Sequence, residues 1–197
     1  MLKRAFDFLA AGTGLLVLSP LFLVLALIVR LDSPGPVFFR QTRVGLNGRT
    51  FGLLKFRSMH TDAEARGPQI TVGRDPRVTR IGHHIRHWKL DELPQLINVV
   101  KGDMSLVGPR PEVPRYVALY EPTLRAKILS VRPGVTDPAS VRFRNESAVL
   151  AASADPERTY VTEILPEKLR MGCAYAECRS FLGDLKVILS TFVAIAK

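Results

Sequence analysis

The sequence predicts an α+β fold that is mostly helical, with a hydrophobic helix at its N-terminus, one short β-hairpin and amphipathic helices around a small core. Three observations support this fold class. Residues 8–29 contain no charged side chain. Two short runs rich in aromatic and branched residues flank a glycine-containing turn at residues 45–48. Residues 80–90 and 181–196 repeat apolar side chains at helical spacing, with polar side chains between them.

The composition limits the class of protein and its partners. A chain of 197 residues is long enough to form one domain with a buried core. Its hydrophobic fraction of 47% excludes disorder and favours contact with a membrane. A net charge of +10 favours anionic partners, namely a phosphorylated substrate, anionic lipid headgroups or nucleic acid. Two cysteines, Cys173 and Cys178, without a signal peptide indicate a reduced compartment, where thiols are structural or incidental.

The uncharged N-terminal segment, residues 8–29, would measure about 33 Å as a straight helix, which is enough to cross a bilayer core. Near its middle, Pro20 removes a backbone hydrogen bond and bends the helix, and the Ser19 hydroxyl can bond a freed carbonyl. Basic residues flank the segment on both sides: Lys3 and Arg4 before it, and Arg30, Arg40 and Arg43 after it. The positive-inside tendency places both flanks in the cytoplasm. The pattern leaves two alternatives, a kinked spanning helix and a re-entrant helix that returns through one leaflet.

The predicted hairpin consists of two strands, Val37–Gln41 and Phe51–Arg57, on either side of the glycine-containing turn. In the second strand, Lys55 and Arg57 alternate with Phe56, so both cations are predicted to face the same side. They either hold a pyrophosphate or form a solvated or headgroup-facing edge, and we favour the binding site.

Residues 80–90 are predicted to form an amphipathic helix whose apolar side chains are Ile81, Ile85 and Trp88. Tryptophan and cations on such a helix suit a membrane interface, and packing on the core is the alternative. His83 and His87 lack a third ligand at a zinc-binding spacing, so we expect them to be solvated or to face headgroups.

The C-terminal half is predicted to be largely helical. Helices are expected at residues 112–120, 123–131, 147–154, 156–170 and 181–196, with a rigid loop at residues 132–138. In the last helix one apolar stripe contains Phe181, Leu185, Ile188, Phe192 and Ile195, with Asp184 and Thr191 largely off it. That stripe is expected to rest on the bilayer or on the core.

The candidate chemistry lies in the stretch Leu90–Glu112. Asp91 and Glu92 stand just before Pro94, a residue that is tolerated only in the first turn of a helix. A short helix, Gln95–Val100, is predicted to follow. The acid pair is therefore expected at a helix N-terminus, where free N–H groups and the macrodipole favour anions, including phosphate.

The end of the same stretch is a stiff turn, Gly108–Pro111, that presents the guanidinium of Arg110. Together with the acid pair, this turn predicts a site for phosphate chemistry. Asp91 and Glu92 point in different directions and so suit different roles at one phosphate. An ionised carboxylate can attack phosphorus to form an acyl phosphate. Mg²⁺ would screen the charge repulsion, bound through one carboxylate and substrate oxygens.

Four segments resemble the bacterial sugar transferase family, the monotopic polyprenyl-phosphate phosphoglycosyl transferases: Lys55–Met59 (KFRSM), Asp75–Gly82 (DPRVTRIG), Leu90–Glu112 and Arg132–Thr136 (RPGVT). The resemblance covers nearly the whole chain and looks like the minimal catalytic core without extra domains. It implies a re-entrant membrane helix, residues 1–31, broken at Ser19 and Pro20. It also implies a catalytic domain, residues 32–197, on the cytoplasmic face of the bacterial inner membrane.

The resemblance further implies the reaction, which moves a sugar-1-phosphate from a UDP-sugar to polyprenyl (undecaprenyl) phosphate and releases UMP. This would be the first membrane step of exopolysaccharide or lipopolysaccharide biosynthesis, with Mg²⁺ as cofactor. It implies that Asp91 is the nucleophile of a covalent phospho-sugar intermediate and that Glu92 helps with metal and proton handling. The implied substrate contacts are Pro109, Arg110 and Pro111 for the nucleotide, and Lys55, Arg57 and Arg86 for phosphate groups.

This chain departs from many family members at two places. Trp88 and Lys89 stand where many members have Ser or Thr, and residues 137–146 replace a continuation rich in Gly and aromatic residues. The second region plausibly shapes the sugar pocket, so the identity of the sugar stays open. The expected partners are UDP-sugar, polyprenyl phosphate and membrane lipids, and a homodimer is left open.

Two other functions were weighed against this one. A basic, membrane-attached binding protein without catalysis fits the charge and hydropathy but gives no reason for the sequence Asp91-Glu92-Leu93-Pro94. Nucleic-acid binding is not expected, because aromatic residues are not interleaved with the basic ones as they are in a stacking platform.

Overall fold

The computed structural model describes residues 2–63, 65–67 and 69–196, so Met1 and Lys197, the outer ends of the two predicted domains, lie outside it. The helices are α1 Leu2–Val17, α2 Ser19–Asp32, α3 Arg80–His87, α4 Gln95–Lys101, α5 Pro114–Val117, α6 Pro122–Ile128, α7 Pro138–Arg142, α8 Glu146–Ala151, α9 Pro156–Thr159, α10 Leu165–Cys178 and α11 Phe181–Ala196. The strands are β1 Phe38–Val44, β2 Thr50–Phe56, β3 Ser105–Val107 and β4 Gly134–Thr136. The mostly helical α+β class is confirmed.

The predicted N-terminal helix is divided into α1 and α2, which are bent by 62° relative to each other. The break falls where Pro20 was expected to cause it, and the Ser19 hydroxyl donates to the carbonyl of Leu16 (2.7 Å). No single helix in the described part of the chain is long and apolar enough to cross a bilayer, whereas α1 and α2 meet those criteria as a bent pair. The predicted break is confirmed, and the re-entrant path stays a prediction.

The polar side of α1 is bound to the domain that follows. Arg4 donates to the carbonyls of Val99 (2.8 Å) and Val100 (3.3 Å), which lie in the last turn of α4. The buried carboxylate of Asp7 accepts from the hydroxyl of Ser105 (2.8 Å) in β3. The first turns of α1 are therefore fixed to α4 and β3.

The second arm, α2, packs against α3 and β2. One buried cluster contains Leu25 and Val29 of α2, Phe56 of β2 and Ile85 of α3. Helix α3 therefore packs against the C-terminal half of α2. The alternatives for this helix were a membrane interface and packing on the core. Its Ile85 side packs on the core, whereas Trp88, just after the helix, is half exposed.

Helix α3 is shorter than predicted, because it ends at His87 instead of Leu90. The cause is a turn at Lys89, whose backbone adopts the left-handed conformation (φ 56°) and redirects the chain just before the acid pair.

The predicted hairpin is confirmed. Strands β1 and β2 pair antiparallel, from Phe38 opposite Phe56 to Val44 opposite Thr50, around a turn at Leu46–Gly48. The first strand runs closer to the turn than predicted, and the second ends one residue earlier than predicted.

A second, parallel pair of strands was not predicted. Each strand has three residues, and Ser105 lies opposite Gly134 while Val107 lies opposite Thr136. The backbones approach closely just beyond this pair, where a Cβ on Gly134 would lie 2.1 Å from the nitrogen of Gly108. Glycine is required there, and the segment predicted as a rigid loop is brought beside the turn that carries Arg110.

The helices of the C-terminal half surround the largest core cluster, whose most deeply buried members include Tyr116, Leu150 and Tyr160. Most boundaries differ from the prediction: α5 lies inside the predicted 112–120, α6 ends at Ile128 instead of residue 131, α8 ends at Ala151 instead of residue 154, and α7 was not predicted. Pro122 begins α6 because proline suits the first helical turn. The helix expected to end at Arg170 continues to Cys178, after a π-helical turn at Tyr160–Ile164.

In α11 the inward-facing side includes the polar residues that were predicted to lie off the stripe. Asp184 is 3% exposed, accepting from Lys3 (2.6 Å) and Tyr175 (2.7 Å), and Thr191 shares a hydrogen bond with Thr136 (2.7 Å). Buried polar groups are tolerated when they have such partners. Part of the predicted apolar stripe, including Phe192, is exposed.

The close approach of β3 and β4 gives a stability prediction. Gly134→Ala would place a methyl group against the backbone of Gly108, so we expect a loss of about 2 to 3 kcal/mol, as for overpacking. The measurement is thermal unfolding of the detergent-solubilised protein. Gly12→Ala is the control, because a Cβ at Gly12 has no neighbour within 4 Å and alanine favours a helix. Equal melting temperatures for both variants would contradict the requirement for glycine at position 134.

Candidate active site

The acid pair lies in a single 3₁₀ turn, Leu90–Glu92, that leads towards α4. The turn is closed by hydrogen bonds from the nitrogen of Glu92 to the carbonyl of Lys89 (3.2 Å) and from the nitrogen of Leu93 to that of Leu90 (3.3 Å). Pro94 then occupies the position that caps α4. The pair was predicted at a helix N-terminus, and the structure places it one turn before the α-helix begins.

Glu92 is held by two cations that come from distant parts of the chain. The ammonium of Lys55, in β2, donates to Oε1 (3.0 Å). Arg110, after β3, donates through Nη1 to Oε2 (3.1 Å) and through Nη2 to Oε1, so this pair is bidentate. The structure thus brings together three residues that the sequence singled out separately.

The electrostatics of Glu92 follow from these contacts. Burial alone would raise the pKa of its carboxyl, but the charges of Arg110 and Lys55 hold that pKa well below its ordinary value. The same carboxylate raises the pKa of Arg110. Burial lowers the pKa of Lys55, and the charge of Glu92 opposes that effect. Glu92 therefore stays ionised at neutral pH, with both oxygens occupied.

Asp91 differs from Glu92 both in its hydrogen bonds and in the direction of its pKa shift. It is 4% exposed, and no residue in the described ranges donates a hydrogen bond to its carboxylate. Burial raises its pKa, and the positive charge of Lys55 acts against that rise. Neighbouring carboxyls whose pKa values are displaced in opposite directions are typical of sites that assign them different roles.

Arg57 does not join this group. Its buried guanidinium donates to the carbonyls of Pro36 (2.6 Å) and Ser33 (2.8 Å), at the C-terminal end of α2, and to the Ser33 hydroxyl. Arg57 follows the last residue of β2, and its nitrogen still donates to the carbonyl of Val37 (2.9 Å). The structure separates Arg57 from Lys55 and uses it to attach the end of α2.

Arg86 lies on the Asp91 side of the site. Its guanidinium donates to the hydroxyl of Thr71 (2.8 Å), and its charge opposes the rise in pKa that burial causes at Asp91. It is therefore placed near the acid that has no hydrogen bond, and not near Glu92.

The Pro109–Pro111 turn is held from both sides. The Pro109 carbonyl accepts from the nitrogen of Gly134 (3.1 Å), and the Pro111 carbonyl accepts from Arg43 (2.9 Å). The nitrogen of Arg110 donates to Asp137 (3.2 Å). Arg43 and Asp137 were not predicted as site residues, although an aspartate just before Pro138 is a recognisable helix-cap signal.

The side chains limit how a metal can be held. No group of three or more His, Cys, Asp or Glu side chains able to bind a metal ion is found in the described ranges. Glu92 has both oxygens on cations, whereas the Asp91 carboxylate is free of hydrogen bonds. This arrangement fits a Mg²⁺ ion bound through one carboxylate, with its other ligands from substrate and water.

The acid pair gives a prediction about stability. Asp91→Asn is expected to stabilise the protein at pH 7 by about 1 kcal/mol, because an ionised carboxylate with a raised pKa opposes folding. Glu92→Gln is expected to destabilise it by about 1 to 3 kcal/mol, because two cations lose their acceptor. Thermal unfolding of both variants at several pH values is the measurement.

The pH dependence follows from the signs of the two pKa shifts. The penalty from Asp91 is present above its raised pKa and disappears as the pH falls to the ordinary aspartate range. The stabilisation from Glu92 is present above the ordinary glutamate pKa and is lost as the pH falls through its depressed value. Both differences from wild type should therefore shrink towards acid pH, and shifts of equal sign at pH 7 would contradict the assignment.

Comparison with known proteins places this geometry in context. A family model described as bacterial sugar transferase matches residues 1–197. A UDP-glucose:undecaprenyl-phosphate glucose-1-phosphate transferase of Caulobacter vibrioides is 38% identical over 96% of this chain and 67% of its own length. A protein of the same name from Escherichia coli (strain K12) is 42% identical over 97% of this chain and 39% of its own length.

A third relative acts on a different sugar. It is a UDP-N-acetylgalactosamine-undecaprenyl-phosphate N-acetylgalactosaminephosphotransferase of Aeromonas hydrophila, 46% identical over 71% of this chain and 34% of its own length. The chain thus spans about two thirds of the first of these relatives and about a third of the other two.

Proposed function

The chain belongs to the bacterial sugar transferase family, and we propose that it transfers a sugar-1-phosphate from a UDP-sugar to undecaprenyl phosphate or a similar polyprenyl phosphate, releasing UMP. The observation that carries this proposal is that the two neighbouring acids lie in different environments. Glu92 is neutralised by two cations, and the adjacent Asp91 is buried without a hydrogen bond. Such a carboxylate is suited to attack phosphorus.

The reaction proceeds in two displacements at one phosphorus atom. First, an Asp91 oxygen bonds to the sugar-bearing phosphorus of the donor, and the bond from that phosphorus to the bridging oxygen breaks. UMP leaves with the electron pair, and an aspartyl phospho-sugar remains. Second, a phosphate oxygen of the polyprenyl phosphate attacks the same phosphorus, and the bond between that phosphorus and the Asp91 oxygen breaks. The products are a polyprenyl diphosphate sugar and the regenerated carboxylate.

Glu92 acts by holding Lys55 and Arg110 beside the reacting phosphates. Both cations then offer fixed positive charge where negative charge develops on the leaving UMP. Metal and proton handling was the role expected of Glu92, and its depressed pKa makes it a poor proton carrier near neutral pH. We therefore assign it the positioning of the two cations.

The proposed cofactor is Mg²⁺, held by Asp91 with oxygens of the donor. When bound, it screens the repulsion between the carboxylate and the pyrophosphate. Burial raises the pKa of Asp91, and the positive charge of Lys55 opposes that rise, as the charge of a bound Mg²⁺ also would. Glu92 is not proposed as a ligand, because its two oxygens are already engaged.

We propose that α1 and α2 form a re-entrant hairpin in the bacterial inner membrane, with the catalytic domain on the cytoplasmic face. Arg4, in α1, and Val29, in α2, are both bound to the same domain, which supports placing the two ends on one side of the membrane. Near the bend, Leu16 and Leu23 are 78% and 74% exposed, as expected of side chains in lipid. The basic flanks favour the cytoplasmic side.

The nucleophile can be tested directly. In Asp91→Asn, UMP release from UDP-sugars in the presence of undecaprenyl phosphate should fall by roughly a thousandfold or more, because the amide does not attack phosphorus. With wild type and a donor labelled in the sugar phosphate but no acceptor, label should remain on the acid-quenched protein and be released by hydroxylamine. A panel that includes UDP-glucose and UDP-N-acetylgalactosamine would also identify the sugar.

The control is Asp62→Asn, which neutralises an exposed carboxylate paired with Arg66. It should release UMP at the wild-type rate. If Asp91→Asn kept wild-type UMP release, the proposed mechanism would be wrong. If wild type released no UMP but remained bound to membranes, a non-catalytic binding role would replace the proposed reaction.

The topology is tested with single cysteines. Leu2 and Leu31 are exposed at the outer ends of α1 and α2, and Cys178 is exposed in the catalytic domain. Each test protein has a single cysteine, at position 2, 31 or 178, and the remaining native cysteines are replaced. The proteins are treated in oriented vesicles with an impermeant maleimide. All three should be labelled from the same side. Labelling of positions 2 and 31 from opposite sides would establish a spanning helix.

A further inference from the structure

Asp137 connects α7 to the turn that carries Arg110. Its carboxylate is 3% exposed and accepts two backbone hydrogen bonds. Oδ1 accepts from the nitrogen of Ser140 (2.7 Å), which caps the N-terminus of α7. Oδ2 accepts from the nitrogen of Arg110 (3.2 Å). One buried side chain thus serves a helix and the active-site turn together.

The hydrogen bond from the Arg110 nitrogen to Asp137 adds to two backbone hydrogen bonds that join β4 to the turn after β3. The nitrogen of Gly108 donates to the carbonyl of Thr136 (3.1 Å), and the nitrogen of Gly134 donates to the carbonyl of Pro109 (3.1 Å). The chain then turns into α7, so its backbone no longer runs alongside the turn. The Asp137 carboxylate, instead of a backbone carbonyl, therefore accepts the hydrogen bond from the Arg110 nitrogen.

Arg110 needs this support because its position depends on a short turn. Its guanidinium makes the bidentate contact with Glu92, next to Asp91. A small displacement of its backbone would move the guanidinium away from the reacting phosphate, and misplacement by about 1 Å can cost roughly a hundredfold in rate. The negative charge of Asp137 also raises the pKa of Arg110, which shows that the two groups are electrostatically close.

We propose that Asp137 is a positioning residue of the active site, acting through the backbone of Arg110 and not by contact with substrate. The proposal rests on the proposed transferase reaction. It also assigns a role to the first residue of the segment in which this chain departs from many relatives, where a glycine would offer no side-chain acceptor. A carboxylate at this position makes the Arg110 turn dependent on the cap of α7.

The test separates the two hydrogen bonds of Asp137. Asp137→Ser keeps an oxygen that can cap α7 but is too short to accept from Arg110 as well. We expect kcat/KM for the UDP-sugar to fall roughly ten- to hundredfold, as for loss of a hydrogen bond to a charged acceptor, with a melting temperature close to wild type. The loss should appear mainly in kcat, since Arg110 is proposed to stabilise the negative charge that develops on the leaving UMP.

The matched control is Asp155→Ser. Asp155 also caps a helix, accepting from the nitrogen of Arg158 (3.0 Å) at the start of α9, and it is exposed. This variant should keep wild-type kcat/KM. Equal activities for the two variants would overturn the proposal.

A double-mutant cycle distinguishes positioning from a general structural role. If Asp137 acts through Arg110, then Asp137→Ser should lower kcat/KM no further in a protein that already carries Arg110→Ala. A second loss of the same size in that background would overturn the proposal. The failure of the proposed function is distinguishable, because wild type itself would then release no UMP.

Discussion

The structure of the site depends on one carboxylate, Glu92, and the two cations that bind it. Lys55 is 37 residues before Glu92 and Arg110 is 18 residues after it, so this contact joins β2, the 3₁₀ turn and the segment that follows β3. Three charged groups at a partly buried place are tolerated because each has a partner of opposite charge in hydrogen-bonding geometry. The contact also fixes where positive charge lies relative to Asp91.

Local chemistry predicted much of this architecture, because proline and glycine act on their own neighbours. The break at Pro20, the hairpin around its glycines, and the position of the acid pair before α4 all follow from residues within a few positions. Features that depend on distant partners were not predicted. Strands β3 and β4 are too short for a period, and the inward position of Asp184 depends on Lys3, 181 residues away. Arg57 is not in the site because its guanidinium is bound to Ser33 and Pro36, more than 20 residues before it.

The bent helix pair, α1 and α2, is bound to the same elements that carry the site. Arg4 binds the C-terminal carbonyls of α4, whose N-terminal side carries the acid pair, and Asp7 binds Ser105 in β3, which leads to Arg110. At the other arm, Arg57 attaches the end of α2 immediately after the strand that carries Lys55. All three charged groups of the site are therefore on elements attached to α1 or α2. If α1 and α2 form the re-entrant hairpin that we propose, these contacts would hold the site at a fixed depth relative to a lipid phosphate.

Two adjacent carboxyls can differ so strongly because of the turn that carries them. Successive side chains in a 3₁₀ helix point about 120° apart, so Glu92 reaches both cations while the buried Asp91 carboxylate makes no hydrogen bond within the described residues. The carboxylate of Asp91 then has a raised pKa and no hydrogen bond, which is unfavourable for the free protein. Lys55 offsets part of that cost through its charge. In the proposed reaction the remainder would be relieved when the carboxylate bonds to phosphorus, so the burial of Asp91 favours the step that we propose.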